Sequence, residues 1–313
     1  MERVSTSTQL PIIDLGAYIA NKSGSLEFAA KQVREALENV GFFSIVGHGV
    51  PWDQVEEIYD WARRYHDLAV ESKHDHLMSS GNMGYIGIGG AQIGDRPHSL
   101  NAAFFMGRPG SKRNQFPSDT MLPGFRSAAE GYYRTLEQLC LKMLPLYALA
   151  ADMAKDYFQS FFSPSLATLR VTHYPNVPAE DDQFGIDTHS DAGFMTLLPT
   201  NTVNGLWIES ETGWFQVDQE PMSFVVNSGD TLRSWSNNRF RSTRHRALNE
   251  SGGDRYAIPF FFDPRPDTNI EPLSGCVDEL NPVTVSAYRY GDYLRTFMQA
   301  EYAQTGNSSM KRS

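Results

Sequence analysis

Cysteine is nearly absent from the chain: only Cys140 and Cys276 occur among 313 residues. Two thiols cannot build a disulfide framework, and without C-x-x-C spacing they do not make a zinc site, which points to a reducing compartment. No apolar run reaches the length of about 18 residues that a membrane-spanning helix needs, so no membrane partner is expected. The Ser/Thr-rich stretch from Met1 to Gln9 has neither an apolar segment nor a small-residue cleavage site, and the expected location is therefore cytoplasmic. On that reading the glycosylation sequon Asn249-Glu250-Ser251 is accidental. Positive charge is also scarce. Lys and Arg number 27 against 37 Asp and Glu, a net charge of −10 that repels polyanions and excludes nucleic acid as an expected partner. There is no G-x-S-x-G elbow for a hydrolase, and Gly84-Tyr85-Ile86-Gly87-Ile88-Gly89-Gly90 matches neither G-x-G-x-x-G nor a Walker sequence.

What is present is a globular composition, 41% hydrophobic and 12% aromatic, in a chain long enough for a sizeable core. Pro11 to Leu15 reads as a short strand, and Leu26, Ala29, Ala30, Val33, Leu37 and Val40 repeat at helical spacing, with Gly41 placed to close that helix. Phe42 to Val46 reads as a second strand, followed by the turn residues Gly47-His48-Gly49-Val50-Pro51. An amphipathic helix is expected over 52–70, and residues 79–98, with seven glycines or prolines in twenty, suggest a long loop that could act as a lid. A third helix is expected over 128–157, kinked or broken at Pro145. From Leu166 the texture changes to short apolar runs at 166–171, 194–198, 205–209, 214–217, 223–227, 231–235, 244–248 and 256–262. Eight such strands argue for a β-sandwich, jelly roll or barrel. A helix over 286–303 and a disordered tail close the chain.

The strongest chemical signal is Asp187-Thr188-His189-Ser190-Asp191. On an extended backbone His189 and Asp191 lie on one face and can offer an imidazole and a carboxylate to one metal ion. His245, 54 residues after Asp191 on a later strand, is the candidate third ligand. Two histidines and one carboxylate on one face of an octahedron leave positions open, the arrangement of non-haem Fe(II) oxygenases, although these residues could equally be polar strand ends. Arg255 heads the run Tyr256 to Phe262, and a bidentate fork on a dicarboxylate would satisfy it; an exposed rim is its alternative. His74-Asp75-His76 reads mainly as a solvated helix end, and Cys140 as a buried thiol within a helix pattern.

Taken together, residues 11 to about 300 resemble the isopenicillin N synthase-like branch of the Fe(II)/2-oxoglutarate-dependent oxygenases. The likeness is carried by Pro11-Ile12-Ile13-Asp14-Leu15, Gly41-Phe42-Phe43, Gly47-His48-Gly49-Val50-Pro51, Leu169-Arg170-Val171-Thr172-His173-Tyr174-Pro175, His189-Ser190-Asp191, Asn227-Ser228-Gly229-Asp230, the segment from Asn238 to Arg246, and Arg255 to Phe261. It implies a mainly β fold with flanking α-helices, its core a distorted double-stranded β-helix, or jelly roll. The expected organisation is an N-terminal α/β region over 1–120, helical support over 121–165, the jelly-roll core over 166–270, a C-terminal strand and helix over 271–304, and a tail over 305–313. By the resemblance, His189, Asp191 and His245 are the iron ligands, and Arg255, Tyr174 and Thr172 bind 2-oxoglutarate. Two departures stand out: Ala257 replaces the serine of the family's Arg-x-Ser, and Thr172 stands where many plant members have Asn.

The implied activity is oxidation, by default hydroxylation, of an unactivated C–H bond in a small-molecule metabolite, with O2 consumed and succinate and CO2 released. Because Asp191 is present, the open site of a halogenase is not expected. By position in the family, Asn101, Phe104, Met106, Phe194, Trp207 and Phe262 are the expected substrate wall, with the 81–95 loop as a lid; Arg96 and His98 are candidates to meet a substrate carboxylate, with an exposed rim as the favoured alternative. A monomer is expected. Ala257 leaves room for a 2-oxo-acid-independent oxidase, and a non-catalytic small-molecule binding protein is the reading outside enzymes.

Overall fold

The computed structural model describes residues 5–78, 83–90, 99–177 and 183–302. Two facing sheets form a jelly roll. The smaller runs in the order Ser5–Gln9, Gly213–Asp218, Leu206–Ser210, His245–Ala247, Ile186–His189. The larger runs Ile12–Asp14, Phe42–Val46, Phe224–Ser228, Met195–Pro199, Phe260–Asp263, Leu166–Tyr174, Ala102–Met106, Gly84–Ile86, with Arg255–Ala257 also paired to Leu166–Tyr174. Strand Phe224–Ser228 is buried along its whole length, which explains its lack of polar alternation before Asn227: it is hydrogen-bonded between Phe42–Val46 and Met195–Pro199.

The N-terminal region attaches to this sheet by a crossover. Ile12–Asp14 and Phe42–Val46 are parallel neighbours, and parallel strands cannot be joined by a tight turn, so helix Ser25–Asn39 carries the chain between them. Its apolar stripe, Ala29, Ala30, Val33, Ala36 and Leu37, is buried. Gly41 ends the helix at φ +75°, donating its N–H to the Ala36 carbonyl at 2.9 Å, as its position predicts. Helices Trp52–His66 and Phe125–Ala150 complete the outer layer.

Several expectations change. Residues 231–235 are not a strand but part of helix Asp230–Trp235, whose buried Thr231, Leu232 and Trp235 fall on one helical face. The run 256–262 is two strands, Arg255–Ala257 and Phe260–Asp263, because Pro259 cannot donate to the ladder. Ile186–His189 is a strand that an apolar-run criterion misses. Pro145 does not end its helix, which continues from Phe125 to Ala150; Leu144, Leu146, Tyr147 and Ala148 are all buried, and their packing outweighs the hydrogen bond that proline forfeits. The C-terminal helix begins only at Tyr290, after strand Tyr288–Arg289. Cys140 and Cys276 are both buried and unpaired. Within the loop expected over 79–98, Gly84–Ile86 is a strand on the edge of the larger sheet, whereas residues 79–82 and 91–98, including Arg96 and His98, lie outside the described residues, as does the tail over 305–313. Among the described residues no helix is long and apolar enough to cross a membrane.

Candidate metal centre

His189 ends one strand of the smaller sheet and His245 begins its neighbour, and the two are direct cross-strand partners. Pairing therefore closes the 56-residue gap between the two histidines that spacing alone leaves open, bringing the rings to 4.3 Å between centroids. Asp191 follows His189 by two residues and turns its Oδ1 to 3.7 Å from Nε2 of each histidine. One ligand atom from each residue lies within 4.8 Å of the others, and among the described residues this is the sole cluster of at least three potential ligands gathered in this way. His74-Asp75-His76, a single 3-10 turn, forms no such group.

The protonation pattern is set by the backbone. His189 Nδ1 lies 2.7 Å from the Asp187 carbonyl and His245 Nδ1 lies 3.1 Å from the Thr243 carbonyl. A carbonyl can only accept, so each Nδ1 carries the proton and each Nε2 presents a lone pair toward Asp191. Burial, reinforced by the adjacent His245, lowers the His189 pKa and keeps that ring neutral. Burial pushes the Asp191 carboxyl up, but His245, His189 and hydrogen bonds from Thr196 and Asn227 together bring it below its ordinary value. Those bonds, from Thr196 Oγ1 at 2.6 Å and Asn227 Nδ2 at 2.7 Å, both fall on Oδ2 and leave Oδ1 directed at the histidines. Two neutral imidazole nitrogens and one carboxylate oxygen suit a divalent first-row transition metal. The donor set thus fits Fe(II).

The turn after Asp191 is pinned from two sides. The Asp230 N–H donates to the Asp191 carbonyl at 2.7 Å, and the Phe194 N–H donates to Asp263 Oδ1 at 2.8 Å. Gly193 is required there, since a Cβ would lie 2.0 Å from Asp263 Oδ1. Burial raises the Asp263 pKa to about 7. A carboxyl raised from its unfolded value of about 3.9 adds stability that is complete below that pH and lost as pH rises through about 7. The apo protein is therefore expected to lose stability between pH 4 and 7 with a slope of the order of 1 kcal/mol per pH unit from this group. Asp263→Asn should flatten that slope in denaturant titrations at several pH values; an unchanged slope would show that Asp263 is ionised throughout.

A cavity opens beside the three ligands, with Arg255, Tyr174, Ala257, Arg170, Leu198 and Phe261 among its walls. Arg255 is buried, at 2% exposure, and its Nε and Nη1 have no hydrogen-bond partner among the described residues. Its guanidinium lies 4.8 Å from the centre of the Tyr174 ring, its direct cross-strand partner. Two residues along, Ala257 faces Thr172, which is fully buried with its hydroxyl likewise unpartnered. An unpaired buried guanidinium is costly, and an incoming carboxylate is the group that relieves it.

The expected substrate wall fares differently. Phe104 packs on Tyr65, Phe116 and Phe125, and Phe194 on Tyr147, Phe158, Phe162 and Trp235; Phe262 stacks on Phe162, and Met106 is fully buried in the same core. These four do not line the cavity; they face the helical layer. Asn101 is buried with both ends of its amide engaged, Oδ1 by Arg170 and Nδ2 by the Gly185 carbonyl. Trp207 sits on the smaller sheet opposite Gln216 and Arg246, also off the cavity wall. Missed by sequence reasoning were Thr196 and Asp263, for which no local pattern exists, and the inward-facing Phe261.

Residues 166–264 match the family model of the 2OG-Fe(II) oxygenase superfamily, and residues 10–122 match that of the non-haem dioxygenase in morphine synthesis N-terminal region. A curated relative, the 2-oxoglutarate-Fe(II) type oxidoreductase hxnY of Emericella nidulans, is 31% identical over 94% of this chain and 92% of its own length. Among solved structures, a full-length Neurospora crassa protein in complex with alpha-KG and thymine superposes with a TM-score of 0.86 at 23% identity, covering 93% of this chain and 96% of its own. JOX2 in complex with 2OG, Fe and JA gives 0.80 at 25% identity, covering 97% and 89%.

Proposed function

Because the chain belongs to the 2OG-Fe(II) oxygenase superfamily, we propose that its Fe(II) is held by His189, Asp191 and His245 and that Arg255 and Tyr174 receive the distal carboxylate of 2-oxoglutarate. The proposed reaction is oxidation, by default hydroxylation, of an unactivated C–H bond in a small-molecule metabolite. The observation that carries this reading is Arg255: a buried cation with two unpartnered nitrogens, opening on the same cavity as the three ligands. Iron, 2-oxoglutarate and O2 supply the oxidising power, with succinate and CO2 as the products of the oxo acid. JOX2, whose structure holds 2OG, iron and JA, supports a small-molecule substrate.

The chain's own residues bind and orient. The Asp187 and Thr243 carbonyls fix each imidazole with Nε2 free, Thr196 and Asn227 hold Asp191 with Oδ1 free, and Arg255 sets the depth at which a dicarboxylate stops. Leu198, Leu206, Val225 and Ala257 keep the intervening wall apolar, so charges inside interact through little water. We assign to Thr172 the hydroxyl that Ala257 lacks, since the two are cross-strand partners on the face that carries Arg255 and Tyr174.

The test is an anaerobic titration of the Fe(II) protein with 2-oxoglutarate, following the weak visible charge-transfer band of a chelated 2-oxo acid. The band should saturate. A hydrogen bond to a charged group is worth about 1.5–3 kcal/mol, so Thr172→Val should weaken 2-oxoglutarate roughly 10- to 100-fold, and adding Ala257→Ser should restore most of the loss. If iron binds and no band forms, a 2-oxo-acid-independent oxidase replaces this reading; if Thr172→Val binds normally, the hydroxyl assignment alone falls.

A further inference from the structure

A second arginine of the cavity is left unexplained by the cosubstrate. Arg170 lies on strand Leu166–Tyr174, four residues before Tyr174 and on the same face as Thr172 and Tyr174, because side chains alternate along a strand. It lines the cavity with His189 and Asp191 and is nine-tenths buried. Its hydrogen bond from Nη2 goes to Asn101 Oδ1 at 2.9 Å, a neutral amide, and its Nε has no partner among the described residues. Asn101 is itself fixed, donating from Nδ2 to the Gly185 carbonyl at 2.6 Å. The guanidinium also lies 5.2 Å from the centre of the Phe105 ring on the adjoining strand.

Among the described residues, the cavity's only carboxylate wall residue is Asp191, whose Oδ2 is taken by Thr196 and Asn227 and whose Oδ1 faces the histidines. Arg170 therefore has a cation's need for an anion, and no anion of the cavity wall meets it. The cosubstrate does not supply one. Tyr174, the cross-strand partner of Arg255, is four residues from Arg170, about 13 Å along the strand. The two arginines are also drawn apart sideways: Arg255 comes from the strand on one flank of Leu166–Tyr174, and Arg170 leans to Asn101 on the other.

We propose that Arg170 recognises the carboxylate of the substrate, so that this oxygenase acts on a small organic acid whose apolar body lies along Phe261, Pro259 and Ile186. Asn101 is then a positioning residue that holds the guanidinium in its forked orientation rather than a contact for substrate. This rests on the Fe(II)/2-oxoglutarate reading of the same cavity.

The experiment uses the anaerobic Fe(II)·2-oxoglutarate complex of the full chain and reads perturbation of its visible band by matched pairs: phenylacetate and phenylacetamide, 3-phenylpropanoate and its amide, indole-3-acetate and its amide, hexanoate and hexanamide. At least one acid should bind about tenfold or more tighter than its amide, the gain expected of a charge-assisted fork. Arg170→Gln should erase that preference while leaving the affinity for 2-oxoglutarate within about threefold, and Arg170→Lys, which keeps the charge without the fork, should retain part of it. Melting temperatures of both variants establish that they fold. Equal binding of every acid and amide, no binding by any acid, or a preference that survives Arg170→Gln overturns the proposal. So does a 2-oxoglutarate affinity that collapses in Arg170→Gln, which would make Arg170 a cosubstrate ligand. Absence of the band in the unaltered protein overturns the cosubstrate reading instead, and this inference with it.

Discussion

Asp191→Ala should lower Fe(II) affinity by more than about 100-fold and abolish 2-oxoglutarate turnover, with the fold intact. Removing a group that merely orients a ligand costs roughly 10- to 100-fold, and Asp191 is proposed as the ligand itself. It is also the sole carboxylate of the trio, so its loss leaves no anionic ligand to balance a dication. The neighbours supply a graded control. Asn227→Ala deletes one of the two donors to Oδ2 and keeps all three ligands, so its loss of affinity should fall in the 10- to 100-fold range. Titration with Mn(II), which avoids oxidation during the measurement, followed by paramagnetic resonance, gives the affinities; succinate release gives turnover. An Asp191→Ala protein that binds metal and turns over like the parent would refute the ligand assignment outright.

How far this centre was legible in the chain depended on distance along it. His189 and Asp191 can be paired from strand alternation alone, because two residues apart means one face. His245 cannot: nothing local ties it to a segment 54 residues earlier, and only the cross-strand register of the smaller sheet, or resemblance of the surrounding motif, brings it in. Asp263 was invisible for the same reason, since it reaches the 191–194 turn from a strand 69 residues beyond Phe194; Thr196 stands only five residues after Asp191, but strand alternation puts it on no shared face with Asp191 and nothing in the residue type marks it as a support. The position of the expected substrate wall off this cavity is a matter of parity. Arg255 and Ala257 point inward, and counting on by twos reaches Pro259 and Phe261, all four of which line the cavity. Phe262, taken by family position, lies on the opposite face, stacked on Phe162. Strand Ala102–Met106 repeats the lesson: Phe105 pairs with the inward Arg170, so Phe104 and Met106 face the helices. The misplaced helix at Asp230–Trp235 had a local cue in its buried Thr231, Leu232 and Trp235 spacing, but the surrounding run of strands hid it.

Arg255→Met separates cosubstrate binding from stability, and the two should move in opposite directions. In the structure the Arg255 guanidinium is buried against Tyr174 with no carboxylate within hydrogen-bonding reach among the described residues. Replacing a buried ionic group by an apolar side chain of similar length is commonly neutral or stabilising by about 1–4 kcal/mol, so the apo variant should melt at the parent's temperature or above it. Its affinity for 2-oxoglutarate should fall about 100-fold or more, since a forked guanidinium–carboxylate contact comprises two charge-assisted bonds of about 1.5–3 kcal/mol each. The thermal shift that the parent shows on adding 2-oxoglutarate with Mn(II) should accordingly vanish in the variant at the same concentrations, while the shift caused by Mn(II) alone persists. That combination cannot arise from a damaged fold, which would lower the apo melting temperature and the metal response together. If 2-oxoglutarate still shifts the variant as it does the parent, the distal carboxylate binds elsewhere; Arg170, a cavity arginine whose one side-chain hydrogen bond goes to a neutral amide, is then the first group to replace.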